Sequence, residues 1–285
     1  MQIMSLITAL PGAAAQGLIW GIMAIGVYIT FRILDIADLT VDGTLCTGGA
    51  VCIMMMLSGH NVWVSMLVAT GAGLLAGLAT GIFHTFMGIP AILAGILTQL
   101  SLYSVNLKIM GKANQAINVD KFNLLVSLRR VKGVALTQNT LFIVAIMIII
   151  LIAVLYWFFG TELGCSLRAT GCNPSMSRAQ GINTDRNKVL GLMLSNGLVA
   201  LSGALLTQYQ GFADINMGRG SIVIGLAAVI IGEAIFSRIF RNFALKLLSV
   251  VFGSILYYLV LQIVIWMGID TDLLKMLSAL VVAFF

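Results

Sequence analysis

Few residues in this sequence could do chemistry. No stretch matches GxxxxGK[ST], so there is no phosphate-binding loop with which to hydrolyse ATP. HExxH, GxSxG and His/Cys clusters with metal-ligand spacing are also absent, and no catalytic or metal-binding residue is expected. His60 stands in a tight turn and His84 at the end of an apolar run, both interfacial positions. Two carboxylates enter apolar runs. Asp42 is placed to cap the start of its own helix, and Glu233 to pair with Arg238 or Arg241 just downstream. Without a chain of buried acids, a proton-driven carrier is disfavoured. What remains is uncharged: Thr44 and Thr47, then Thr98, Gln99, Ser101 and Asn106, then Ser195 and Asn196. Some of these only bind neighbouring helices, at about 0.6 kcal/mol each. Thr44, Thr47, Thr98, Gln99, Ser101 and Asn196 are the candidates for lining a path.

The densest polar stretch is residues 160–188, GTELGCSLRATGCNPSMSRAQGINTDRNK, with Arg168, Arg178, Asp185, Arg186 and Lys188. Such charges belong in water. The stretch also carries a helix of its own over 174–180, about 10 Å long at 1.5 Å per residue. Asn173 is its N-cap, Pro174 its first residue, and Gly181 closes it in a left-handed conformation. Asn183, Thr184 and Asp185 then cap the next apolar run. A short helix held at the base of a span is a docking element.

These residues are embedded in a chain built for lipid, 60% hydrophobic and 9% charged, with mean hydropathy +1.06. A soluble domain averages about 25% charged residues. The pI of about 9.3 therefore speaks of orientation and headgroups, and no nucleic-acid partner is expected. No cleavable signal is evident, because the first apolar run lacks a charged leader and is long enough to remain as a span. Cys46, Cys52, Cys165 and Cys172 form no CxxC and read as packing or surface residues.

Apolar runs of spanning length predict an all-α membrane protein with about nine helices, at 12–31, 41–57, 62–82, 91–109, 139–159, 189–208, 221–236, 247–267 and 273–285. The second and seventh are short and open in Gly-rich sequence, so they are candidates for broken helices; the ninth is too short to cross, so either the chain continues further or that helix ends inside the bilayer. Counting Lys and Arg on either side gives a tie at eight each, so charge leaves the orientation open. The basic loop 111–138 is either a solvated connection on headgroups or a receptor for an acidic partner.

Ile36-Ala37-Asp38-Leu39-Thr40-Val41 resembles Phe212-Ala213-Asp214-Ile215-Asn216-Met217, and each copy opens one of the two weak spans. Four spans, a linker and four more would give the copies opposite orientations. Inverted repeats with interrupted helices point to a transporter. Gly73, Gly77 and Gly81, and likewise Gly17 and Gly21, recur every four residues and allow close helix approach.

Gly164, Arg168-Ala169, Asn173, Arg178 and Gly181-Ile182-Asn183-Thr184-Asp185-Arg186 resemble the pattern of permease subunits of bacterial ABC importers of the branched-chain amino acid and ribose family. Residues 17–42 and Ala227-Ala228-Val229-Ile230-Ile231-Gly232 extend the likeness, which is similar in general character to a tryptophan or tyrosine uptake branch. The sequence departs from the pattern at Cys165, where Arg is frequent, and at Glu233, where a second glycine is frequent. The resemblance implies a multi-pass permease domain of a prokaryotic cell membrane over 1–285. Its parts would be a first repeat at 1–110, an extracytoplasmic loop at 111–138, a linker span at 139–159, a cytoplasmic coupling loop at 160–188 and a second repeat at 189–285. It implies partners too: two ABC ATPase subunits carrying ATP and Mg, a second permease copy, an extracytoplasmic binding protein and membrane lipid. Arg168, Asn173, Pro174, Arg178, Gly181, Ile182, Asn183, Asp185 and Arg186 become the candidate ATPase-coupling residues. The permease itself would be no enzyme and hold no cofactor. Its cargo would be an amino acid, aromatic in the narrower branch, with a sugar or nucleoside as alternatives and a self-contained secondary carrier as the rival class.

Overall fold

A computed structural model of the chain describes residues 2–119, 122, 124–131, 139–236, 240, 242–267, 276 and 280. Among these, six helices are long and apolar enough to cross a membrane. They are α1 (Gln2–Tyr28, continued by a π-helical turn, Ile29–Ile33), α3 (Val62–Thr85), α4 (Ala91–Met110), α5 (Thr140–Gly160), α8 (Thr184–Gln210) and α10 (Phe243–Trp266). Two apolar helices are shorter: α2 (Val41–Leu57) with 17 residues and α9 (Ser221–Phe236) with 16. Each spans about 25 Å at 1.5 Å per residue, short of a hydrocarbon core of about 30 Å. Two polar helices, α6 (Glu162–Cys172) and α7 (Pro174–Ala179), join α5 to α8. Three-residue strands β1 (Asn114–Ala116) and β2 (Phe212–Asp214) pair antiparallel, Gln115 opposite Ala213. The expected span 273–285 lies outside the described residues, save Met276 and Leu280, as do Arg238, Arg241 and, in the loop 111–138, residues 120, 121, 123 and 132–138.

Small residues decide which helices touch. A Cβ at Gly73, Gly77 or Gly81 of α3 would overlap Asn196 and Ala200, Leu192, or Val189 of α8, so this stripe is the α3–α8 seam. Gly17 and Gly21 of α1 lie in the same way against Ile255 and Val251 of α10. Gly48 of α2 faces the Ala200 carbonyl of α8, and α9 packs on both α1 and α10. Without a hydrophobic drive between helices in lipid, such backbone approach supplies the association through dispersion. Helix α3 is thus seated on α8, and α1 on α10. Apolar side chains left over on α3, α4 and α5, such as Leu67, Ile92 and Ile149, face outward.

The two weak spans enter from opposite ends of the bundle. Residues 34–40 follow the π-turn beside α6, where Gly171 packs on the Ile33 carbonyl, while 211–220 follow α8 beside β1. Both then turn into their short helices near mid-depth. Gly43 lies against Gln99, which is close to the centre of α4.

Two expectations need correcting, and one partner went unforeseen. Asp42 lies in the first turn of α2 but does not cap it: its carboxylate accepts from the Gly220 and Ile222 amides (2.9 and 3.0 Å) and the Ser221 hydroxyl (2.8 Å), capping α9. It therefore lies where the positive ends of α2 and α9 meet. Glu233 pairs with Arg32 of the π-turn, Nε to Oε1 3.0 Å, joining α9 to the end of α1, while its expected partners Arg238 and Arg241 lie outside the described residues. Residues 162–172 are a helix rather than loop, because Gly164, Leu167 and Thr170 recur every three residues on one buried face.

Candidate functional site

The polar end of the bundle is built from caps. Asn173 Oδ1 accepts from the Met176 amide (3.0 Å), Pro174 occupies the first turn, and Gly181 has φ +81°. The Gly181 and Ile182 amides return to Arg178 and Ser177 carbonyls at 3.0 Å, ending α7 one residue before the expected Gln180. Asn183 Oδ1 accepts from the Arg186 amide (3.1 Å) to start α8, with Asp185 in its first turn. Arg178 spans the junction. Its Nε donates to Thr184 Oγ1 (2.7 Å) and its terminal nitrogen to Asp185 Oδ1 (3.3 Å), fixing α7 to α8. Arg168 lies over the Phe243 ring, 5.4 Å from its centre, so it is anchored to α10. Arg186 is exposed and, among the described residues, its side chain has no ion-pair partner. Met176, 62% exposed, is the apolar side chain that α7 presents outward. Asn187, not singled out from the sequence, is buried and donates to Ser166 and Thr170 Oγ (3.2 and 2.9 Å), tying α6 to α8. Its signal was its place one turn after the Asn183 cap, on the side of α8 facing Leu167.

The interior polar residues converge on the first short helix. Asp38 Oδ1 accepts from the Thr40 amide (2.9 Å) and its Oδ2 from Asn196 Nδ2 (2.7 Å). Thr44 donates to Asn196 Oδ1 (2.7 Å), and Thr40, Thr80 and Thr98 hydroxyls form a chain with steps of 2.7 and 2.9 Å. All six side chains are buried, and their hydrogen bonds join α2, α3, α4 and α8 at one point. Of the six path candidates, Thr44, Thr98 and Asn196 are thus brought together. Thr47 is buried and bonds the Gly43 carbonyl of its own helix. Ser101, on the exposed face of α4, bonds the Leu97 carbonyl. Gln99 lines a cavity of about 360 Å³ beside Asp42. In the sequence Asp38 shows only as a repeat element and Thr80 carries no mark, although the Asp38-x-Thr40 spacing is that of a side-chain turn. Among the described residues, no three His, Cys, Asp or Glu side chains form a metal-binding group.

This arrangement of broken helices, interior polar junction and capped loop helix can be set against known proteins. A family model for the permease component of branched-chain amino acid transport systems matches residues 10–285. A tyrosine transport system permease protein of Clostridioides difficile is 38% identical over 270 residues, covering 95% of this chain and 88% of that one. An uncharacterized protein of Rickettsia prowazekii is 39% identical over 280 residues, 97% and 94% of the two chains. A fructose import permease of Bifidobacterium longum is 25% identical over 246 residues, 86% and 67%. With helices that can cross a membrane six times and a family match over nearly its whole length, this chain belongs to the branched-chain amino acid transport permease family of bacterial ABC importers.

Proposed function

We propose that the chain forms the membrane path of an ATP-driven importer for an amino acid with an aromatic side chain. The name carried by the Clostridioides relative, at 38% identity, supports that cargo over a sugar. The observation that carries the ATP-driven part is the end 160–188: α7 is capped at both ends and locked to α8 through Arg178, yet Met176 of α7 and Arg186 in the first turn of α8 stand exposed. A rigid, unpaired helix end of this kind suits a cleft in a separate ATPase subunit, two of which would drive two permease copies. In this reading Arg178, Asn173, Asn183 and Gly181 position the helix. Met176 and Arg186 touch the ATPase, and Arg168 transmits motion to α10 through Phe243. The loop end is then cytoplasmic, and β1 with its flanking loop faces the binding protein.

The pairing of α3 with α8 and of α1 with α10, and the entry of the two short helices from opposite ends, support reading 1–110 and 189–285 as inverted repeats around the linker α5. Alternating access would rock the two halves about the Asp42 junction. The Arg32–Glu233 pair closes the cytoplasmic end in the conformation described. Membrane-impermeant thiol reagents should spare the exposed Cys172 in intact cells and label it in inverted vesicles. Coupling is tested by purifying the complex with Met176→Asp or Arg186→Glu. Loss of the ATPase subunit from a permease that stays folded supports the reading, and full retention with normal uptake contradicts it.

A further inference from the structure

At mid-depth, beside the point where α2 and α9 begin, lies the cavity of about 360 Å³ noted above, within the size range of small-ligand pockets. Four features set it apart from a packing gap. Asn106 is 1% exposed, and while its Nδ2 makes a long contact of 3.4 Å to the Gly43 carbonyl, its Oδ1 has no partner. A buried amide oxygen left unpaired is costly, and native structures carry few. Arg219 lines the same cavity and, among the described residues, has no ion-pair partner. A cation at this depth cannot face lipid, so this side of the bundle is wet or covered. Asp42 lines it too; three donors already hold its carboxylate, leaving room for one more at Oδ2. Leu100 and Tyr103 add an apolar wall.

We propose that this cavity binds the transported solute as a zwitterionic α-amino acid. Arg219 receives its carboxylate, Asn106 Oδ1 and Asp42 Oδ2 accept from its ammonium, and Tyr103 and Leu100 meet its side chain. The proposal rests on the reading of the chain as an amino acid importer and adds the site within it. A sugar would leave both charges of the cavity unanswered. Among the described residues, the buried amide oxygen accepts no hydrogen bond and the exposed guanidinium has no ion-pair partner, so both can take a ligand.

The test uses the full complex of permease, ATPase and binding protein in lipid vesicles, with radiolabelled L-tyrosine. Asn106→Leu and Arg219→Gln should each lower the tyrosine carried per ATP hydrolysed about tenfold, the equivalent of one charge-assisted contact. A second measurement does not depend on turnover. In a Cys165→Ser, Cys172→Ser background, Gln99→Cys is labelled with N-ethylmaleimide. L-phenylalanine should slow the labelling, whereas phenethylamine, which lacks the carboxylate, should not. Unchanged tyrosine per ATP in both variants, or labelling indifferent to L-phenylalanine or slowed equally by the amine, overturns the site while leaving the importer reading in place. If the unaltered complex carries no amino acid, the importer reading fails and the site with it.

Discussion

Ala37-Asp38 and Ala213-Asp214 make the same local turn and lead different lives. In each, the carboxylate accepts from the amide two residues on, Thr40 at 2.9 Å and Asn216 at 2.7 Å, and a short helix follows. Asp38 is 3% exposed and its other oxygen takes Asn196 at 2.7 Å, inside the junction of four helices. Asp214 is only half-buried, at the edge of the β1–β2 pair, and its second contact is Asn114 at a long 3.5 Å. Chemistry set by two neighbouring residues is thus repeated, whereas chemistry set by a distant helix is not. The first turn is built into the core through its carboxylate; in the second, Ala213, Ile215 and the Asp214 carbonyl, which accepts from Cys46 Sγ at 3.5 Å, are held inside while the carboxylate lies at the edge. In the first turn the carboxylate is fixed by a distant helix; in the second it is held by its own turn and by β1.

Matched substitutions would break this contrast or sharpen it. Asp38→Ala strands the Asn196 amide and the Thr40 N–H in the interior and should cost about 3 kcal/mol, read by unfolding in detergent, against about 1 kcal/mol for Asp214→Ala, whose partners reach water. Equal costs would show that the two turns are equivalent after all. Asp42→Ala removes the acceptor for three donors and should cost about 2 kcal/mol, with amide exchange rising first at Gly220–Ile222, while the first turn of α2 stays protected. Asn196→Ala should cost about 2 kcal/mol and Asn114→Ala under about 0.5 kcal/mol, by the same measurement. The smallest effect belongs to the half-exposed Arg32–Glu233 pair, whose coupling in a double-mutant cycle should stay below about 1 kcal/mol and shrink with salt.

What was legible in the sequence was local. The N-cap, proline and closing glycine of α7 are each read from residues a few positions apart, and the geometry follows them. The glycine stripe on α3 was visible as spacing, but its partner α8 lies more than a hundred residues away and leaves no local mark. Asp42 and Glu233 were recognisable as carboxylates needing partners, but Ile222 and Arg32, which they meet, are 180 and 201 residues distant and leave no local mark. Helix α6 was hidden because polar composition reads as loop unless the three-residue recurrence of Gly164, Leu167 and Thr170 is weighed. Asp38 was visible as a repeat element but not as a buried one, since its burial is conferred by α8.

The most direct test of the whole account is uptake of L-tyrosine into vesicles holding the purified chain alone or the chain with its ATPase and loaded binding protein. Accumulation should occur only with all components and ATP, and vanish with a non-hydrolysable analogue. Accumulation by the chain alone, indifferent to nucleotide, would contradict it.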